Sequence, residues 1–116
     1  MPKYIKEINN LIKKLKINEM ARIGNCMTWN VDVYSLDHNP PHFHFGHLRI
    51  NIPETPPSSI SELTYPNQKY KEIASGYVRE LNQLIKWLRQ PDTNMPEVTN
   101  LRTIQRQWQI LHNTDE

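Results

Sequence analysis

The sequence predicts an α+β fold: a small antiparallel sheet of three or four strands, two C-terminal helices on one face, and an extra N-terminal helix. Three observations lead to this prediction. Apolar residues recur at helical spacing in three segments, a stretch after Gly24 alternates with a period of two, and a proline-rich stretch separates the strand region from the last two helical segments. At 116 residues, the chain has the length of one domain.

The first predicted element is an amphipathic helix over about residues 3–16. We divide the chain into this N-terminal extension, residues 1–24, and a single α+β domain, residues 25–116. The extension carries six basic and two acidic residues, a net charge of +4, in a chain whose total is +2. Either this basic helix binds an acidic surface, or its lysines only keep an exposed face solvated. Its apolar stripe must be buried somewhere, and we expect a dimer interface.

The first predicted strand runs from Cys26 to Leu36, where apolar and polar residues alternate. Asn30 and Asp32 lie on its polar face. The turn that follows, residues 37–41, ends the strand because its two prolines cannot donate hydrogen bonds to a ladder.

The segment His42–Ile52 fits a strand only if Gly46 interrupts it. An uninterrupted strand would mix histidines with Leu48 and Ile50 on one face. A two-residue turn at Gly46-His47, or a bulge at Gly46, places four apolar residues on one face and three polar ones on the other. The apolar set is Phe43, Phe45, Leu48 and Ile50, and the polar set is His42, His44 and Arg49. We prefer the hairpin, which sets His44 opposite Arg49 and Phe43 opposite Ile50.

The remaining chain reads as a loop followed by two helices. Residues 53–68 contain four prolines and several serines, with a short strand predicted at Ile60–Thr64. Helices are predicted over about 69–90 and 97–112 from their apolar stripes.

Composition narrows the class of protein. The net charge of +2 is too small to indicate a nucleic-acid-binding protein by itself. A single cysteine, Cys26, fits a reducing compartment and is expected to be a buried bystander. No signal peptide and no bilayer-spanning stretch is expected, so the predicted location is cytoplasmic, without membrane association.

The chemically loaded stretch is Asp37–His44, D-H-N-P-P-H-F-H, which holds three of the five histidines. This octapeptide, set between two strands, resembles the hallmark of a bacterial family catalogued as domain of unknown function 4160. The resemblance extends over about residues 25–112 and includes a weaker echo, Trp108-x-x-Leu111-His112. It implies a small bacterial protein of a kind often encoded beside another small domain, as in toxin–antitoxin pairs. The N-terminal helix and the short turn after His44 depart from the family pattern.

Three interpretations of the motif stay open. His42 and His44, two apart on a strand, lie on one face and can converge on a divalent metal ion, with His38 or Asp37 as third ligand. The histidines can instead act as acid–base catalysts without metal, with Arg49 holding an anionic phosphate. Alternatively, they fix the Pro-Pro turn through hydrogen bonds to the backbone. The candidate binding residues are Asn30, Asp32, Asp37, His38, Asn39, His42 and His44.

Two functional hypotheses follow. The leading one is an interaction module, one half of a toxin–antitoxin-type pair, which binds a protein partner, a second copy of itself, or nucleic acid. The alternative is a small hydrolase or ribonuclease, with or without a metal, built on His38, His42, His44 and Arg49. The sequence leaves open whether the protein is an enzyme and whether it carries a cofactor.

Overall fold

The computed structural model describes residues 19–112. The predicted N-terminal helix, and with it the predicted dimer contact, lies outside these residues. The described elements are strands β1 (Met20–Cys26), β2 (Trp29–Tyr34), β3 (His42–Phe45) and β4 (Leu48–Asn51), a 3-10 helix (Ile60–Glu62), and helices α1 (Gln68–Ala74), α2 (Val78–Arg89) and α3 (Asn100–His112).

The four strands form one antiparallel sheet in the order β1-β2-β3-β4, which agrees with the predicted α+β class. The predicted strand Cys26–Leu36, however, contains a hairpin turn. Cys26 pairs with Trp29, and Met27 between them has a φ of +59° and is exposed. The apolar side chain of Met27 fits the period-two alternation of the sequence, although the residue lies in the turn. The chain before this turn forms β1, a strand that the sequence did not predict. The predicted boundary between the N-terminal extension and the α+β domain, at residue 24, falls within this strand.

The β3–β4 hairpin follows the prediction in register and faces. Phe43 pairs with Ile50, and His44 pairs with Arg49. Gly46 has a φ of +59°, which glycine adopts without strain, and a Cβ there would lie 2.7 Å from Trp29 Cε3. The turn therefore needs glycine for its backbone angle and for its contact with Trp29.

The core lies between the sheet and the helices. Phe43, Phe45, Leu48 and Ile50 are buried together, as predicted. The completely buried side chains also include Val31 and Val33 from β2, Leu84 and Leu88 from α2, and Ile104 from α3. Cys26 belongs to this core, and burial raises the pKa of its thiol to about 11, so it is a poor nucleophile.

The C-terminal half has three helices where two were predicted. The predicted helix 69–90 is interrupted between α1 and α2 by Ser75, Gly76 and Tyr77. The Ser75 hydroxyl donates to the Glu72 carbonyl, and Tyr77 has non-helical backbone angles. Serine competes for backbone acceptors and glycine loses the most entropy in a helix, so the break occurs here despite a continuous apolar stripe.

Two smaller predictions also need correction. The segment 60–64, predicted as a strand, forms the 3-10 helix Ile60–Glu62, although the carbonyl of Thr64 does accept a hydrogen bond from the amide of Asn51. The last helix begins at Asn100 rather than near Glu97, because residues 96–97 form a turn and Thr99 pairs with Pro91 in an isolated antiparallel bridge. Within residues 19–112, no helix has the length and hydropathy that crossing a lipid bilayer requires.

Candidate metal centre

The site is built by β3 and by the turn that precedes it. Alternation along β3 turns His42 and His44 away from the core face that Phe43 and Phe45 occupy. Asp37 lies in the turn after β2, where its amide donates to the carbonyl of Tyr34. The turn also contains a cis peptide bond, between Asn39 and Pro40. Together the strand and the turn bring the Asp37 carboxylate to the two imidazoles.

Three potential ligand atoms meet at this point. Asp37 Oδ2 lies 2.8 Å from His44 Nε2 and 3.2 Å from His42 Nε2. One ligand atom from each of the three residues lies within 4.8 Å of the others. Ligands about 2.0–2.2 Å from a common zinc ion are separated from each other by roughly 3–3.5 Å. The cluster therefore has nearly the spacing that one bound ion requires.

The hydrogen bonding of His42 leaves one of its nitrogens unpaired. His42 is only 5% exposed, and its Nδ1 lies 2.9 Å from the carbonyl oxygen of Pro40. A carbonyl oxygen only accepts, so Nδ1 carries the proton and Nε2 of a neutral imidazole is a lone pair. That buried Nε2 has no hydrogen-bond partner, although the Asp37 carboxylate is near. The lone pairs of His42 Nε2 and Asp37 Oδ2 repel each other at this distance unless a cation, either a proton or a metal ion, lies between them.

The electrostatics favour a neutral His44. The pKa of His44 is lowered, chiefly by burial, although the hydrogen bond and the negative charge of Asp37 act to raise it. The positive charge of Arg49 lowers it further. A neutral imidazole is the form that binds a metal, so the surroundings of His44 keep it ready for ligation near neutral pH.

An open cavity of about 280 Å³ adjoins the cluster. His42 and Asp37 form part of its wall, and Arg49 and Tyr70 form another part, with the Arg49 guanidinium carbon 5.0 Å from the centre of the Tyr70 ring. The cavity therefore meets the cluster at Asp37 and His42, whereas His44 is not among the residues that line it.

The structure separates the other candidate residues. His38 and Asn39 are exposed and line the cavity, but the described cluster contains Asp37 and not His38. Asp32 lies opposite His44 across the sheet, as the strand pairing required, yet Arg22 holds its carboxylate at 2.8 and 3.1 Å. Asn30 is exposed on β2.

His112, which is not among the candidate binding residues of the sequence, also contributes to the site. Its ring stacks on Trp108 at 3.5 Å between centroids, and its Nδ1 lies 3.0 Å from the Trp108 carbonyl oxygen. Its Nε2 lies 3.0 Å from the carbonyl oxygen of Asp37. The end of α3 thus holds the turn that carries the Asp37 carboxylate. The sequence signal was the short pattern Trp108-x-x-Leu111-His112.

The chain matches no known family model, no curated protein and no solved structure. The resemblance of the octapeptide to domain of unknown function 4160 therefore stays a prediction, and function has to be argued from the geometry of the site.

Proposed function

We propose that this protein binds one divalent transition-metal ion through Asp37, His42 and His44, with the remaining coordination positions open to the cavity. The observation that carries the proposal is the buried, unpartnered Nε2 of His42 beside the carboxylate of Asp37. A buried polar atom without a partner costs about 1–3 kcal/mol. A metal ion at this point satisfies Nε2 and the carboxylate at once.

The ligand set indicates the class of metal. Two imidazoles and one carboxylate suit zinc or iron(II), whereas calcium and magnesium prefer oxygen ligands only. Ligating histidines usually donate their other ring N–H to a carbonyl or carboxylate, which orients the ring. The bond from His42 to Pro40 is of this kind. A hydrogen bond from His42 to the backbone of the Pro-Pro turn is expected if the histidines fix the turn. The same bond is also compatible with His42 as a metal ligand.

Three protein ligands and an open position are the arrangement of catalytic rather than structural zinc sites. The ion would lower the pKa of a bound water molecule and supply a nucleophile at neutral pH. This supports the hydrolase hypothesis in its metal-dependent form, with Asp37, His42 and His44 as ligands and His38 outside the ligand set.

The interaction-module hypothesis stays a prediction. Its toxin–antitoxin context rests on the family resemblance, and its proposed contact surface, the basic N-terminal helix, lies outside the described residues. Several apolar side chains are exposed on the described part of the chain, among them Met20, Val78 and Ile110. They come from different elements, and single exposed apolar side chains are ordinary.

Calorimetric titration of the metal-stripped, untagged protein with zinc and cobalt(II) tests the proposal. We expect one equivalent to bind to the wild type. Loss of an outer-shell partner alone costs about 10–100-fold in affinity, so Asp37→Asn, His42→Ala and His44→Ala should each cost at least that. His38→Ala is the matched control and should bind as the wild type does. No binding by the wild type, or unchanged affinity in His42→Ala, would overturn the proposal.

A further inference from the structure

The guanidinium of Arg49, which is permanently positive, lines the cavity beside the cluster. Among the described residues that line this cavity, Arg49 is the only lysine or arginine. The hairpin register sets Arg49 directly opposite His44, and side chains in such positions have Cβ atoms about 4.5–5.5 Å apart. A positive charge therefore lies beside the proposed metal ligands.

Within the described residues 19–112, no carboxylate forms an ion pair with Arg49: the Asp32 carboxylate pairs with Arg22, and the Asp37 carboxylate contacts the two site histidines. The guanidinium of Arg49 instead lies over the ring of Tyr70. A guanidinium stacked in this way keeps the N–H groups in its plane available for an acceptor. Arg49 thus offers donors to a ligand in the cavity.

We infer that the cavity binds the phosphoryl group of a small phosphate ester, whose oxygens meet Arg49 on one side and the metal ion on the other. This inference rests on the proposed metal site and names the ligand class for it. The planar donor fork of arginine matches phosphate oxygens. Tyr70 and Pro66 give the cavity an apolar wall for the organic part of the ester. Its volume of about 280 Å³ lies at the lower limit of small-molecule pockets and favours a small ester.

Paramagnetic broadening of the phosphorus NMR signal of inorganic phosphate tests the inference, with cobalt(II) as the bound ion. We expect broadening with the cobalt-loaded wild type, because phosphorus then lies near the ion. Arg49→Gln should bind cobalt with unchanged stoichiometry but weaken phosphate binding at least about tenfold, as loss of a charge-assisted hydrogen bond does. Arg49→Lys, which keeps the charge and loses the fork, should fall between the two.

Arg79→Gln is the matched control, since Arg79 is exposed on α2 and does not line the cavity. It should bind phosphate as the wild type does. Absence of broadening in the cobalt-loaded wild type, or equal broadening in Arg49→Gln, would overturn the inference. If cobalt fails to bind, the proposed metal function fails, and calorimetry of phosphate with the metal-free protein decides the anion site. Binding that depends on Arg49 would then support it, and no binding would overturn it.

Discussion

Truncation of His42 to alanine should change the stability of the metal-free protein little and that of the metal-bound protein strongly. In the metal-free protein, His42→Ala removes the hydrogen bond to the Pro40 carbonyl, worth about 1 kcal/mol, and the ring contact with Trp108. It also removes the unpartnered Nε2, whose burial costs about 1–3 kcal/mol. Because these terms oppose each other, we expect the free energy of unfolding to change by less than about 1.5 kcal/mol.

The metal-bound protein should respond differently. At a zinc concentration about 100 times the dissociation constant, binding stabilises the folded wild type by about 2.7 kcal/mol. For a domain of this size, that raises the melting temperature by roughly 10 °C. His42→Ala lacks a ligand and should gain almost nothing. The zinc-dependent difference in stability between the two proteins should therefore be about 2.7 kcal/mol.

The assay is thermal unfolding followed by far-ultraviolet circular dichroism, with zinc and with excess chelator. His38→Ala, an exposed histidine outside the cluster, is the control and should show the full zinc effect. If His42 only fixes the turn, His42→Ala should instead lose about 1–3 kcal/mol equally with zinc and with chelator. A wild type that melts at one temperature under both conditions would refute the reasoning from the unpartnered Nε2.

Two further predictions concern the hairpin and the pH dependence. Gly46→Ala should cost more than about 1–2 kcal/mol in a denaturant titration, because alanine at a φ of +59° is strained and its Cβ would meet Trp29. Gly76→Ala is the matched control: its Cβ would meet only the Ile73 carbonyl at 3.6 Å, so a change above about 1 kcal/mol there would contradict this explanation. Zinc affinity by calorimetry should be constant above the ordinary histidine pKa of about 6.5 and fall at lower pH, as protons compete for His44. Because burial lowers the pKa of His44, protonation of His44 should weaken zinc binding only below that value. Zinc affinity that rises on acidification would contradict histidine ligation.

The hairpin was predictable because strand faces have an exact period. Side chains alternate between the two faces along β3 and β4, so a shift of one residue would move every apolar side chain of a strand to the polar face. A turn at Gly46 is what keeps the apolar residues of both strands on one face. The strand β1 gave no such signal. Its register shifts between Arg22 and Gly24, it ends the sheet on one side, and Cys26 is the one buried residue of its seven. An irregular edge strand leaves little periodicity to read.

The ligand set was only half predictable for a related reason. His42 and His44 share a face because they are two apart on a strand, and this holds for any strand. The third ligand lies in a turn, where no period applies, and spacing alone left His38 and Asp37 as alternatives. The choice depends on how the turn is held, and that is a matter of tertiary contacts rather than of local sequence.

The contact that holds the turn comes from the far end of the chain. The Nε2 of His112 lies 3.0 Å from the carbonyl oxygen of Asp37, 75 residues earlier in the chain, and its Nδ1 lies 3.0 Å from the carbonyl oxygen of Trp108 in its own helix. The Trp108 ring in turn lies beside His42, with centroids 5.9 Å apart. One residue pair on α3 therefore contacts both the carboxylate-bearing turn and a ligand histidine. The position of the cluster thus depends on α3 docking against the sheet, so a metal ion bound there would stabilise the packing of α3 as well as the turn.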